Sequence, residues 1–194
     1  MTRKVRKVRY RLDSKDVKSI SRNDLIAILR AADSLIMSGG RQMLSKILKG
    51  SKDKRLLELG LDDCPFYGYF NKLTLPNILA RVDWTIQNGY LEIEYSFRLP
   101  FLVYTDAGWQ IEKDTYSSEL LDILSEMANH PVTGMDLSFL KDRNRKMILM
   151  LLDKINDTNN PKFITVLECW KQVDYKKVQR RIDEVIEHLI EFSH

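Results

Sequence analysis

The stretch that decides the fold spans residues 44–110 and reads LSKILKGSKDKRLLELGLDDCPFYGYFNKLTLPNILARVDWTIQNGYLEIEYSFRLPFLVYTDAGWQ. Its first third predicts two helices on either side of a basic turn. The apolar positions of the first helix share one face: Met43, Leu44, Ile47 and Leu48. Gly50-Ser51 ends this helix, a short helix follows over residues 55–59, and Gly60 stops it.

A third helix is predicted over residues 75–88. Thr74 is its N-cap, and Pro76 lies in the first turn, where a missing N–H costs nothing. Asn88-Gly89 ends the helix, because both residues tolerate the left-handed conformation. Its apolar positions recur at helical spacing: Ile78, Leu79, Val82 and Ile86.

After Gly89 the hydrophobic pattern changes to period two. Leu91, Ile93 and Tyr95 alternate with Glu92 and Glu94, which predicts a strand. Residues 99–105 supply its partner, residues 95–98 make the turn, and residues 106–108 end the hairpin. A helix, a basic turn, two further helices and a hairpin are, in this order, typical of a winged helix. Nucleic-acid binding is therefore our leading interpretation.

The flanking sequence is helical. Ser21 or Asn23 caps a helix that Gly39 and Gly40 end, and its apolar positions are Leu25, Ile26, Ile28, Leu29, Leu35 and Ile36. An irregular loop over residues 62–69 is held to the core by its aromatic rings. Beyond Trp109, four apolar sets predict helices, and the last has the spacing of a short coiled coil: Val178, Ile182, Val185, Leu189 and Phe192. Packing on the chain's own helices explains that seam best.

We therefore predict a mainly α protein with one small β-hairpin, a winged helix followed by a C-terminal helical region. The predicted organisation is a basic N-terminal arm over residues 1–20, the winged-helix domain over residues 21–113, and the helical region over residues 114–194. The helical region either packs on the winged helix or recruits a partner protein.

The net charge of +4 is unevenly distributed. The first 11 residues carry six positive charges and no acid, so this arm either follows phosphates or is a solvated, solubilising terminus without ligand. Within residues 41–55, six basic residues oppose only Asp53. Residues 114–194 hold 11 basic and 14 acidic residues, which predicts a poor phosphate surface there. Polyanion contact is expected in the first half.

Other function classes receive little support. No apolar run reaches the roughly 18 residues that span a bilayer, and no secretory signal is seen, so we expect a cytoplasmic, nucleoid-associated protein without membrane contact. Cys64 and Cys169 are predicted to be buried free thiols, and three scattered histidines form no metal or catalytic centre. No phosphate-binding loop of an ATPase is present. We expect no enzyme activity and no cofactor.

Several motifs together resemble one family. They are residues 47–56 (ILKGSKDKRL), Leu59-Gly60, Tyr67-Gly68, residues 88–91 (NGYL) and residues 103–108 (VYTDAG). In sequence and order they are similar to the RQC winged-helix domain, which lies C-terminal to the motor in RecQ-family DNA helicases. The resemblance covers about residues 22–113. The motor and the cysteine-bound zinc module of those helicases are not found in this sequence, which suggests a stand-alone RQC-like protein.

The resemblance implies where DNA is bound. In that family, phosphates are held at the turn after the second helix and around the third helix, while the hairpin wedges at a duplex end. This places Lys49, Ser51, Lys52 and Arg55 at the phosphate-binding turn. The residues themselves agree, since a hydroxyl, backbone N–H groups beside a glycine and several cations suit a phosphate. The alternative is that the lysines form a solvated helix face.

The residues at the hairpin tip also have two interpretations. Phe97, with Tyr95 and Arg98, either stacks on a terminal base pair or unpaired base, or packs on the C-terminal helices. The complete predicted interface contains Lys49, Ser51, Lys52, Lys54, Arg55, Arg81, Tyr95, Phe97 and Arg98.

Three functions are compared. The first is non-catalytic, structure-directed binding to duplex ends, forks or junctions, in DNA repair or replication. The second is a sequence-specific winged-helix transcriptional regulator, whose third helix reads the major groove through Asn77, Arg81, Asp83 and Gln87; only Arg81 among them is cationic. The third is a protein-interaction module that docks on a helicase or repair enzyme. The oligomeric state is left open.

Overall fold

The fold is given by a computed structural model that describes residues 11–130 and 134–192. The chain divides into a first unit that ends at Glu112 and a second that begins at Lys113. The predicted charges of the basic arm from Arg3 to Arg9 lie outside the described residues, as do Pro131 and His194.

The first unit contains the predicted helices and hairpin, together with a 3-10 turn in the segment predicted as an irregular loop. They are α1 (Arg22–Asp33), α2 (Arg41–Lys49), α3 (Lys54–Glu58), a 3-10 turn (Leu61–Asp63), α4 (Leu75–Gln87), β1 (Leu91–Ser96), β2 (Leu99–Tyr104) and the start of α5 (Asp106–Asn129). The strands are antiparallel, with Leu91 opposite Tyr104 and Ser96 opposite Leu99. Apolar residues from α1, α2, α4 and both strands form one fully buried core: Ile28, Leu44, Leu48, Ile78, Val82, Leu91 and Leu102. The predicted winged-helix arrangement is thereby confirmed.

Helix α1 is shorter than predicted. It ends at Asp33, before Leu35 and Ile36, and not at the two glycines. Ile36 instead forms a parallel bridge with Leu102 of the hairpin. The N–H of Met37 donates to the carbonyl of Leu102 over 2.9 Å, and the N–H of Leu102 donates to Gly39 over 2.9 Å. The backbone therefore leaves the helix to satisfy the outer edge of β2.

The helix caps are partly as predicted. The Ser21 hydroxyl accepts from the N–H of Asp24 at the start of α1. Thr74 occupies the N-cap position of α4, but its side chain makes no capping hydrogen bond. Residues 106–108, predicted to end the hairpin, form the first turn of α5. A Cβ at Gly108 would lie 1.9 Å from the Tyr90 carbonyl oxygen, so only glycine allows this approach of helix and loop.

A buried ion pair fastens the start of α5 to α1. The Arg30 guanidinium donates to Glu112 over 2.7 Å, and both side chains are almost fully buried. Beside it, the Tyr104 hydroxyl donates to the carbonyl of Leu29 over 2.8 Å. Burial, followed by the charge of Glu112, raises the pKa of Tyr104, so this hydroxyl stays protonated.

The second unit is helical, as predicted. After α5 it contains a 3-10 turn (Ser138–Leu140), α6 (Arg145–Asp157), α7 (Phe163–Lys171) and α8 (Lys176–Glu191). Helix α8 packs on α6 and α7 through Val178, Ile182, Val185 and Leu189, all buried. This confirms that the coiled-coil spacing serves the chain's own core, although Phe192 is exposed.

Two remaining observations concern the burial of the cysteines and the nature of the helices. Cys64 is buried, whereas Cys169 is only partly buried, because it lies on the edge of the apolar face of α7. Within the described residues, a search for a helix long and apolar enough to cross a membrane finds none.

Candidate nucleic-acid interface

The basic turn between α2 and α3 is closed at both ends by local hydrogen bonds. Gly50 adopts the left-handed conformation with φ 71°, and its N–H donates to Ile47. The N–H of Ser51 donates to Lys46 over 3.0 Å, which completes the helix C-cap. Asp53 then caps α3 by accepting from the N–H groups of Arg55 and Leu56. The residues between these two caps are therefore held in one conformation.

The loop that contains Gly68 braces this turn. A Cβ at Gly50 would lie 3.0 Å from the Cα of Gly68, so the two backbones pack directly on each other. The N–H of Gly68 donates to Ile47 over 2.9 Å, and the Tyr67 hydroxyl donates to the Ser51 carbonyl over 3.1 Å. Two motifs that lie far apart in the sequence thus meet at the basic turn.

The cations of the turn divide into two groups. The Lys46 ammonium lies 2.7 Å from Asp53. Lys49 donates to the carbonyls of Asn71 over 2.5 Å and Leu73 over 2.9 Å. These two lysines are therefore engaged with the protein itself. Lys46 also holds the pKa of Asp53 below its ordinary value, aided by the two backbone N–H groups that Asp53 caps.

The second group faces solvent. Lys52 and Arg55 are exposed, and across the described ranges neither side chain makes a hydrogen bond or ion pair. Lys54 is 90% exposed and lies 3.7 Å from Glu58, an i,i+4 pair that solvent screens. Ser51 is half-buried, and its hydroxyl has no hydrogen-bond partner among those same residues. Of the predicted interface residues around this turn, Lys52, Lys54 and Arg55 are therefore the accessible cations.

A groove of about 590 Å³ lies between the hairpin and residues 34–43, which run from the end of α1 to the start of α2. Its lining includes the basic side chains of Lys46 and Arg55. The hairpin contributes Leu99 and Phe101 to the same groove. Arg55 therefore borders one concave surface together with the wing, whereas Lys52 and Lys54 lie outside its lining.

The hairpin turn is tighter than predicted. It consists of Phe97 and Arg98 alone, because Ser96 already pairs with Leu99, and Tyr95 is a half-buried strand residue opposite Pro100. Phe97 is 86% exposed. Its φ of 54° lies in the left-handed region, which a bulky side chain rarely adopts. An aromatic ring is therefore held in solvent at the tip, at a cost to the backbone.

The outward face of α4 differs from the prediction. Asp83, expected to be exposed, is 1% exposed and forms an ion pair with Arg41 of α2. Arg81 is half-buried; it donates to the Asn77 carbonyl over 3.1 Å and lies 5.7 Å from the Phe70 ring centroid. The contact of Asp83 was not predicted, because its partner Arg41 lies 42 positions away in the sequence.

Residues 11–20, the described part of the predicted N-terminal arm, cover part of this helix. Three hydrogen bonds join them to α4: Asp13 N–H to Asp83 over 2.9 Å, Trp84 Nε1 to the Lys18 carbonyl over 3.2 Å, and Gln87 Nε2 to the Leu12 carbonyl over 3.4 Å. Asp83, Trp84 and Gln87 are therefore engaged by the chain itself. This contact had no recognisable signal in the sequence.

Comparison with known proteins identifies the family of this fold. The family model described as the RQC domain matches residues 13–120, more than half of the chain. The match begins within the segment that covers α4 and extends into α5. The curated proteins and the solved structures gave no significant match.

Proposed function

Because this chain belongs to the RQC domain family, the DNA-binding winged helix of RecQ helicases, we propose that it is a non-catalytic DNA-binding protein that recognises duplex ends, forks or junctions. The proposal assigns phosphate contacts to the basic turn and contact with the end of the duplex to the hairpin tip. Repair and replication are the processes in which such DNA structures arise.

One observation carries the proposal. Lys52, Lys54 and Arg55 project from a turn whose backbone is fixed by two caps and by the Gly50–Gly68 contact. A fixed backbone spares these cations the cost of ordering the turn on binding, and they make strong charge-assisted hydrogen bonds to phosphate oxygens. The Ser51 hydroxyl is placed beside them. Lys49 and Lys46 would then support the turn and add charge without direct contact.

The hairpin tip supports recognition of DNA ends. An exposed phenyl ring has a stacking surface for a base, and such stacking contributes about 1 to 3 kcal/mol per base. Phe97 keeps this position although its backbone conformation is unfavourable for a side chain. Strain of this kind clusters at functional sites. Arg98 beside it supplies a cation for the adjoining phosphate.

The sequence-specific alternative receives less support. Reading the major groove requires polar side chains that are free to meet base edges. In α4, Asp83 is buried in an ion pair, and Trp84 and Gln87 bond to residues 11–20. Asn77 is the exposed polar residue left near Arg81 on this helix. A protein-interaction module remains the alternative if DNA affinity is negligible at physiological salt.

A competition between DNA structures tests the proposal. The full chain is titrated with forked duplex, blunt duplex, single strand and closed circular duplex at several salt concentrations. We expect tighter binding to forks and ends than to circular duplex, with affinity that falls as salt rises. Equal affinity for circular and linear duplex would refute recognition of ends. A strong preference for one base sequence would support the regulator instead.

A further inference from the structure

The charges of the second unit are strongly segregated. Across residues 114–194, eight of the 11 basic residues fall within the segments 141–146 and 176–181, whose one acid is Asp142. The rest of this region holds three basic and 13 acidic residues. The negative total therefore conceals two cationic segments that lie 30 positions apart in the sequence.

The fold brings these segments together at one end of the unit. Three contacts join α6 and its flanks to α8 and the residue before it: the Tyr175 hydroxyl donates to Asp142 over 2.6 Å, Arg181 donates to Asp153 over 2.9 Å, and His188 lies 2.9 Å from Asn159. The residue numbers rise together along both helices, so the helices are parallel. Their first turns, at Arg145 and Lys176, consequently share one end.

Most of the cations at this end face solvent without a carboxylate partner among residues 134–192. We call them the second basic surface: Lys141, Arg145, Lys146, Lys176, Lys177 and Arg180. Two neighbouring arginines are engaged elsewhere. Arg143 packs over the Tyr116 ring, and Arg181 pairs with Asp153 and Glu184. The carboxylate of Asp142 accepts from Tyr175 and does not neutralise Lys146 or Lys177.

We propose that the second basic surface binds the sugar-phosphate backbone of nucleic acid, as a DNA contact additional to the winged helix. The inference rests on the proposed DNA-binding function and extends it to the second unit. Axes of packed helices lie about 8 to 10 Å apart, so cations on two adjacent first turns span several phosphates. A duplex carries one charge per about 1.7 Å of its axis.

The composition of the surface favours nucleic acid over a lipid bilayer. An amphipathic helix that lies on a membrane surface buries an apolar face beside its cations. The large exposed apolar side chains of Ile190 and of Phe192, the C-cap residue of α8, lie at the opposite end of that helix. The side chain at the cationic end with a large exposed ring is Tyr175, 52% exposed, with the Lys141 ammonium 5.2 Å from its centroid.

The test compares two charge-matched double variants of the full chain. K146A/K177A removes two cations of the second basic surface. K162A/K171A removes two cations that lie outside it and are engaged with Asn129 and Asp183. For a forked duplex, the logarithm of the binding constant is measured against the logarithm of salt concentration. We expect K146A/K177A to reduce the slope by about 1.8, at roughly 0.9 per lost phosphate contact, and K162A/K171A to leave it unchanged.

The remaining outcomes separate this proposal from the previous one. If K146A/K177A binds DNA with the wild-type slope while Arg55→Ala does not, the second basic surface is refuted and the winged-helix interface stands. If Arg55→Ala has no effect while K146A/K177A weakens binding, the winged-helix interface fails and the second surface is supported. Loss of binding to phosphatidylserine vesicles with unchanged DNA binding would overturn the proposal in favour of a membrane contact. Circular dichroism checks that each variant is folded.

Discussion

Gly50 and Gly68 pack backbone against backbone, both in the left-handed conformation, with φ of 71° and 74°. The contact joins the Leu-Lys-Gly-Ser segment at the end of α2 to the Tyr-Gly pair of the aromatic loop. It explains why both motifs occur in one chain, since each glycine makes room for the other. The orientation of the basic turn therefore depends on a loop that follows α3 in the sequence.

Replacing Gly50 by alanine should destabilise the first unit. The left-handed conformation costs an alanine about 1 to 2 kcal/mol, and the new Cβ would press on the Gly68 backbone at 3.0 Å. Gly60→Ala is the matched control, because Gly60 also has positive φ but has open space around its Cα. Chemical denaturation should show a larger loss for Gly50→Ala. Equal losses of unfolding free energy in the two variants would mean that the contact between Gly50 and Gly68 contributes nothing to stability.

Asp53→Asn should tighten DNA binding. Asparagine keeps the capacity to cap α3, but it removes a negative charge from the turn and releases the Lys46 ammonium that lies 2.7 Å from Asp53. The salt dependence of the affinity should steepen as well. Glu58→Gln, which removes a negative charge from the exposed end of α3, is the control for net charge. Weaker binding by Asp53→Asn would contradict the view that phosphates approach this turn.

The same residue predicts a pH dependence of stability. Because folding lowers the pKa of Asp53, its ionised form stabilises the native state at neutral pH, and this contribution is lost as the pH falls through the lowered pKa. The difference in unfolding free energy between wild type and Asp53→Asn should therefore shrink in acid. A difference that stays constant down to pH 2 would exclude the ion pair as its source.

Phe97→Ala should weaken binding to forks and ends selectively. The loss expected from one base stack, about 1 to 3 kcal/mol, corresponds to roughly 5- to 150-fold in affinity. Closed circular duplex should bind as it does to the wild type. Ser96→Ala is the control, since Ser96 is an exposed residue of the same hairpin beside Phe97 and does not line the groove. Uniform weakening across all substrates would assign Phe97 a structural role.

Asp83→Asn should lower stability without changing any preference for base sequence. It removes the negative charge that pairs with the Arg41 guanidinium, and breaking a buried ion pair costs about 3 to 5 kcal/mol. Asn77→Ala, at an exposed position of the same helix, should be nearly neutral for folding. A changed preference for DNA base sequence in a folded Asp83→Asn protein would support the alternative in which α4 reads bases in the major groove.

Local patterns in the sequence were sufficient for the elements of the winged helix, because caps, glycines and the change from helical to alternating period are properties of neighbouring residues. The end of α1 was predicted incorrectly because Ile36 forms a bridge with Leu102, which lies 66 positions later in the sequence. The first turn of α5 was also missed, since Gly108 is required by its approach to Tyr90 and not by a turn.

The candidate sites likewise combine features that are visible in the sequence with features that only folding supplies. The cluster of cations around Gly50 is visible in the sequence, but Lys46 and Lys49 are distinguished from Lys52 and Arg55 only by partners that folding supplies. Counting charge over residues 114–194 suggested a poor phosphate surface. The parallel packing of α6 and α8 instead gathers six exposed cations at one end. Averaged charge cannot reveal such a surface.

The most direct test of the central claim is the salt dependence of forked-duplex binding by Arg55→Ala. Arg55 is exposed at the start of α3, so its loss should leave folding intact. We predict weaker binding to every DNA structure and a slope reduced by about 0.9, while Lys162→Ala retains the wild-type slope. An Arg55→Ala protein with unchanged affinity and unchanged slope would contradict phosphate binding at this turn.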